Sequence, residues 1–106
     1  MQLDRIKEQF PRVEQVIARA EEVCGSDASA PEALKKSVRA LGSQRQQARH
    51  LVQTSQDEES IRECINEMEE ESDRAKAACR DGVSDTLRAA VMEAHAGLSD
   101  LKKQAN

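Results

Sequence analysis

The sequence predicts an all-α protein folded as an antiparallel up-down-up-down four-helix bundle, and three observations carry that prediction. Apolar residues recur in alternating steps of three and four along four successive stretches, the signature of helices that bury one face. The composition holds one aromatic residue, Phe10, no Trp or Tyr, and 34% charged residues, which is the profile of long helices. Strand formers are scarce and never alternate over a useful length, so a sheet lacks its material. At 106 residues the chain makes one domain, 1–106. A domain of that size buries roughly two-thirds of its unfolded surface, enough for a modest core and too little for a large internal pocket.

The first helix is expected over residues 3 to 24, with Leu3, Ile6, Phe10, Val13, Ile17, Ala20 and Cys24 on one face. Pro11 removes a hydrogen bond yet leaves the apolar phase unchanged, so the sequence predicts a kink near residues 7 to 10. A frayed first turn is the alternative. Gly25 reads as the stop, and GSDASAP as a polar connection.

The second helix is expected over 30 to 55. Ser29 reads as its N-cap, Glu32 falls three residues later at capping-box spacing, and Pro31 sits in the first turn, where a missing donor costs nothing. Its stripe is Leu34, Val38, Leu41, Arg45, Ala48 and Val52. Gly42 inside it costs about 1 kcal/mol relative to Ala and offers close approach to a neighbouring backbone.

A turn near Gln56 and Asp57 leads to a third helix over 58 to 81, with Asp57 as N-cap and Glu58 and Glu59 at the positive end of the helix dipole. Its stripe, Ile61, Ile65, Met68, Ser72, Ala75 and Cys79, pairs antiparallel with the second helix, so that Val52 meets Ile61, Arg45 meets Met68 and Leu34 meets Cys79. The net charge is +4 over residues 29–56 and −5 over 57–80. Lys35, Lys36, Arg39, Arg45 and Arg49 are therefore expected to flank the acidic run around Glu69, Glu70 and Glu71. Exposed pairs are worth only about 0.2–1 kcal/mol each, so they set register more than stability.

The fourth helix is expected over 84 to 104, with Val83, Leu87, Ala90 or Val91, Ala94, Leu98 and Leu101 inward. The pattern slips at Arg80, Asp81 and Gly82, where Gly82 reads as a stop and Ser84 as the next N-cap. Without that break the chain has three helices, the last running from 58 to 104 over roughly 70 Å and dimerising with a second copy.

Function is read mostly from what is missing. There is no Gly-rich phosphate loop, GxSxG elbow or HExxH motif, and the adjacent Glu69, Glu70 and Glu71 point three ways around a helix, so neither an enzyme nor a cofactor is expected. The net charge of −4 argues against whole-surface binding to nucleic acid or anionic lipid. No apolar run approaches the roughly 20 residues of a membrane span, and the charged N-terminus is no signal peptide, which makes the cytoplasm the expected compartment. The three cysteines then read as reduced thiols.

Cys24 and Cys79 fall at the same end of the bundle. Small apolar fillers are the first reading and a redox pair the second. His50 and Cys64 lie nearly opposite each other, two ligands where zinc wants four, or three plus water, so no metal site is expected. The preferred function is a small non-enzymatic module that binds a protein partner, as an adaptor, chaperone or assembly factor does. Its expected surfaces are an exposed patch at Val91, Met92 and Leu98 and a loosely packed middle at Arg45, Met68 and Ser72. The alternatives are a DNA-associated regulator using Arg39, Gln46 and Arg49 of the basic helix, and a thiol or metal sensor using Cys64 and His50.

Overall fold

A computed structural model describes residues 1–55 and 57–106 and contains four helices, α1 (Leu3–Ser26), α2 (Glu32–Thr54), α3 (Glu58–Ala77) and α4 (Asp85–Ala105). They pack around the perimeter in the order α1, α2, α3, α4 and back to α1. Contacts at the ends fix the antiparallel sense. The Gln2 N–H donates to the Gln104 carbonyl at 3.0 Å, and the Arg62 guanidinium donates to the Ala105 carbonyl at 2.8 Å. The body measures 42 × 20 × 18 Å with a radius of gyration of 13.4 Å, close to the ~13 Å of a compact chain this long.

The expected stripes become the core. Ile6, Phe10, Val13, Ile17, Ala20 and Cys24 of α1 are all buried, and Ile61, Ile65, Met68, Ser72 and Ala75 of α3 likewise. The α1 helix runs without a break through Pro11, whose ring sits on the exposed side. Apolar burial on both sides of the proline outweighs the single hydrogen bond it removes.

Two expected boundaries shift. Gly25 is not a stop, because α1 continues to Ser26 and ends only where Asp27 turns extended. Ser29 does not cap α2, which starts at Glu32 with Pro31 in the cap position and no side-chain cap. The Ser29 hydroxyl is engaged elsewhere. It donates to Asp27 Oδ1 at 2.6 Å and accepts from the Ser84 N–H at 2.9 Å, while the Ser84 hydroxyl donates to Asp27 Oδ2. This clasp ties the α1–α2 connection to the α3–α4 connection, and its three bonds compete successfully with a single N-cap bond.

The other two caps form as read. Asp57 accepts from the Glu59 and Ser60 N–H groups, and Ser84 from the Leu87 N–H. Gln56, half of the expected turn, lies outside the described residues. The break between α3 and α4 is present, so the three-helix alternative does not describe this chain. The α3 helix ends at Ala77, four residues earlier than expected, as the Ala78 and Cys79 N–H groups bond back to the last α3 carbonyls. Gly82, at φ +97°, then reverses the chain in a conformation that L side chains rarely adopt.

Buried apolar residues divide into two clusters. The larger spans Ile6 to Ala20, Leu41 to Val52, Ile61 to Met68 and the C-terminal part of α4; the smaller gathers Cys24, Leu34, Val38, Ala75, Val83, Leu87 and Val91 at the other end. Between them lies a polar waist.

Candidate functional site

The waist begins with Ser72, an α3 stripe residue 1% exposed in a position where an apolar side chain would ordinarily pack. Its hydroxyl donates to the Glu69 carbonyl at 2.6 Å, and its oxygen lies 3.0 Å from Nδ1 of His95 on α4. A hydroxyl has one proton, and here the Glu69 carbonyl takes it. Nδ1 is therefore the donor in the second contact, which fixes the imidazole tautomer and ring orientation. Asp73 Oδ1 stands 3.4 Å from the same Nδ1. One turn away, the nearly buried Glu69 accepts from Lys102 Nζ at 3.3 Å. Glu69, Asp73 and His95 thus bring one donor atom each to within 4.8 Å of one another.

The α1–α2 side of the waist is built differently. Arg45 occupies a stripe position, but its guanidinium turns to Glu21 of α1, with Nη2 3.4 Å from Oε1. That separation is within ion-pair range, although Glu21 Oε1 makes no hydrogen bond, so the contact is Coulombic rather than directional. Arg45 Nε and Gln44 Oε1 are also buried without partners. Gly42 makes the arrangement feasible, because a Cβ there would stand 2.3 Å from Glu21 Oε2. The carboxylate rests on bare helix backbone.

These pairings correct the expected charge pattern. Arg45 and Arg49 of α2 engage Glu21 and Glu14 of α1 rather than the acidic run of α3, and no ion pair among the described residues joins α2 to α3. The reason is rotation about α2, whose basic side chains next to the core emerge on the α1 side. Meanwhile Glu59, Glu63, Glu67 and Glu70 are exposed along α3 and form no ion pair among the described residues.

The expected partner patch is corrected as well. Val91 and Leu98 are buried at 2% and 0% exposure, Met92 is half-buried, and no large apolar side chain is exposed among the described residues. The α4 helix presents a face wide enough to bury Ala90 and Val91 together, one in each cluster. Met68 is fully buried, and the middle is filled by the bundle's own polar side chains rather than left open.

Cys24 and Cys79 pack in the same smaller cluster as free thiols. Burial pushes both thiols above their ordinary value, which lowers the reactive thiolate fraction. His50 is exposed and Cys64 half-buried, and they belong to no metal-ligand group found among the described residues. The group that does form lies at the waist, and the signal for its α3 half, Glu69 and Asp73 at i, i+4, was already in the sequence. No helix among the described residues is long and apolar enough to cross a membrane. No family model matches the chain, and neither a curated protein nor a solved structure matches it.

Proposed function

We propose that this protein is a small, non-enzymatic interaction module that docks a basic protein surface onto the outer face of α3, in the manner of an adaptor or assembly factor. The observation behind this reading is the row of Glu59, Glu63, Glu67 and Glu70, exposed and without ion-pair partners among the described residues. At 100° per residue the four carboxylates fall on one side of the helix, spread over about 16 Å of its length. Such a row steers a partner of opposite charge and fixes its register, while contributing less to raw affinity. Free thiols support the cytoplasm as the working compartment.

The DNA-associated reading draws less support, since Arg49, one of the side chains meant to reach base edges, is held by Glu14. The test is capture of partners from the source cell by the wild-type chain and by the E59Q/E63Q/E67Q/E70Q variant, at low and high salt. A partner retained by the wild type at low salt and lost both in the variant and at high salt supports the proposal. Identical capture by both chains refutes it.

A further inference from the structure

We infer that Glu69, Asp73 and His95 form a binding site for a divalent first-row transition-metal ion, with zinc as the reference ion. Glu69 and Asp73 stand one turn apart on α3, His95 faces them from α4, and one donor atom of each lies within 4.8 Å of the other two. Asp73 Oδ1 and His95 Nδ1 are already 3.4 Å apart. Two ligands held about 2.1 Å from a tetrahedral zinc ion are themselves about 3.4 Å apart, so this pair has the spacing the ion requires. From a separation within 4.8 Å, a shift of at most about 1.4 Å brings the Glu69 carboxylate into the same shell.

The donor set selects the ion. Calcium and magnesium take all-oxygen shells, whereas one imidazole nitrogen with two carboxylates suits zinc and its neighbours and leaves a fourth position for water. The three side chains meet across the α3–α4 seam, with Asp73 on its exposed edge.

Two further observations separate this group from an incidental acidic cluster. Lys102 Nζ lies 3.3 Å from Glu69 Oε2 with its side chain 43% exposed, so an ammonium already supplies positive charge there and has solvent to withdraw into. With Lys102 in place the two carboxylates keep one negative charge uncompensated; with it withdrawn, a dication balances them. The second observation is Ser72, which occupies a buried stripe position and anchors the imidazole at 3.0 Å. A metal ion bound at Nδ1 takes the place of the Nδ1 proton, which leaves to solvent on binding. Binding therefore gives up the Nδ1–H···Ser72 bond: the ion replaces the proton as the partner of Nδ1, while the Ser72 hydroxyl stays on the Glu69 carbonyl.

The experiment is calorimetric titration of the reduced full chain with zinc chloride, alongside D73N, H95Q and K102M. The wild type should bind one equivalent. Losing a direct ligand should weaken binding at least as much as losing an outer-shell partner does, by about 10-fold or more in D73N and H95Q. K102M should bind more tightly, because the competing ammonium is gone, and a purely structural lysine would not give that result. Circular dichroism checks that each variant is helical. If H95Q does not fold, D73N carries the test, since the Asp73 side chain is 58% exposed. Cobalt(II) in place of zinc distinguishes this site from the cysteines, because thiolate ligation adds an intense sulfur-to-cobalt charge-transfer band. The inference is overturned by absence of zinc binding in the wild type, by unchanged affinity in D73N, or by a thiolate band as the main cobalt signal.

Discussion

Replacing Gly42 with alanine tests the α1–α2 side of the waist, because two effects of known sign oppose each other there. Glycine inside a helix costs about 0.5–1 kcal/mol relative to alanine, so G42A taken by itself should stabilise α2 by that amount. The new Cβ, however, would stand 2.3 Å from Glu21 Oε2 and 2.7 Å from its Cδ, so the carboxylate end of that side chain must shift. The shift weakens its pairing with Arg45, whose side chain is only 18% exposed and whose Nε already lacks a partner. A partly buried pair of this kind is worth about 1 kcal/mol, enough to cancel or reverse the propensity gain.

In an E21A background nothing is left to displace, and G42A should then give the full stabilisation. The expected coupling between the two positions is about 1 kcal/mol, above the ~0.3–0.5 kcal/mol scatter of additive mutations. Urea unfolding of the four chains of this cycle, followed by helical circular dichroism, measures it. In a domain this size the corresponding shift in melting temperature is about 4–8 °C per kcal/mol. If G42A stabilises both backgrounds equally, the carboxylate does not rest on the glycine and the reasoning fails.

Two further outcomes are expected. The Ser29 hydroxyl, then the Ser84 hydroxyl and the Ser29 N–H, hold the Asp27 carboxyl below its ordinary value of 3.8. A depressed folded value means that its contribution is fully present above the ordinary value and disappears as pH falls through the folded one, so wild type and D27N should differ most near neutrality and converge in acid. Urea midpoints measured across that range check this, and a gap that is constant with pH contradicts it. Gly82→Ala should destabilise the fold by about 1–3 kcal/mol through backbone strain alone, because φ is +97° and no atom lies within 4 Å of the added Cβ; a neutral result in thermal melts would contradict that.

Much of the fold could be read from periodicity, since the three-four spacing depends only on which face of each helix is buried. Asp57 and Ser84 were also legible as caps, because a cap and the N–H groups that donate to it lie within three residues. Ser29 was misread for the opposite reason: its decisive partner, Ser84, is 55 residues away in sequence. The charges of α2 were assigned to the wrong neighbour because α1 and α3 both flank it, and sequence spacing alone does not say which way Arg45 and Arg49 turn. The α3 half of the waist cluster was visible as Glu69 and Asp73, but adding His95 requires the register of α4 on α3. The irregular segment from Ala78 to Ser84 hides that register. Val91 and Leu98 were misplaced because a helix that faces two clusters buries a wider sector than a single stripe.

The division of the core also bears on how the molecule opens. Amide hydrogens exchange through sub-global openings whose cost follows the apolar contacts that must be broken. The larger cluster, with Ile6, Phe10, Ile17, Ile61, Ile65, Met68 and Leu98, should protect its amides nearly to the limit of global unfolding. The smaller one holds fewer side chains and no Ile, Phe or Met, and among the described residues the half-buried Val23 alone packs against both clusters. Its helix ends should therefore exchange first, as one unit. On that view the Asp27–Ser29–Ser84 clasp acts as a pin across the half of the bundle that opens more readily, and it sets how often the buried Cys24 meets solvent.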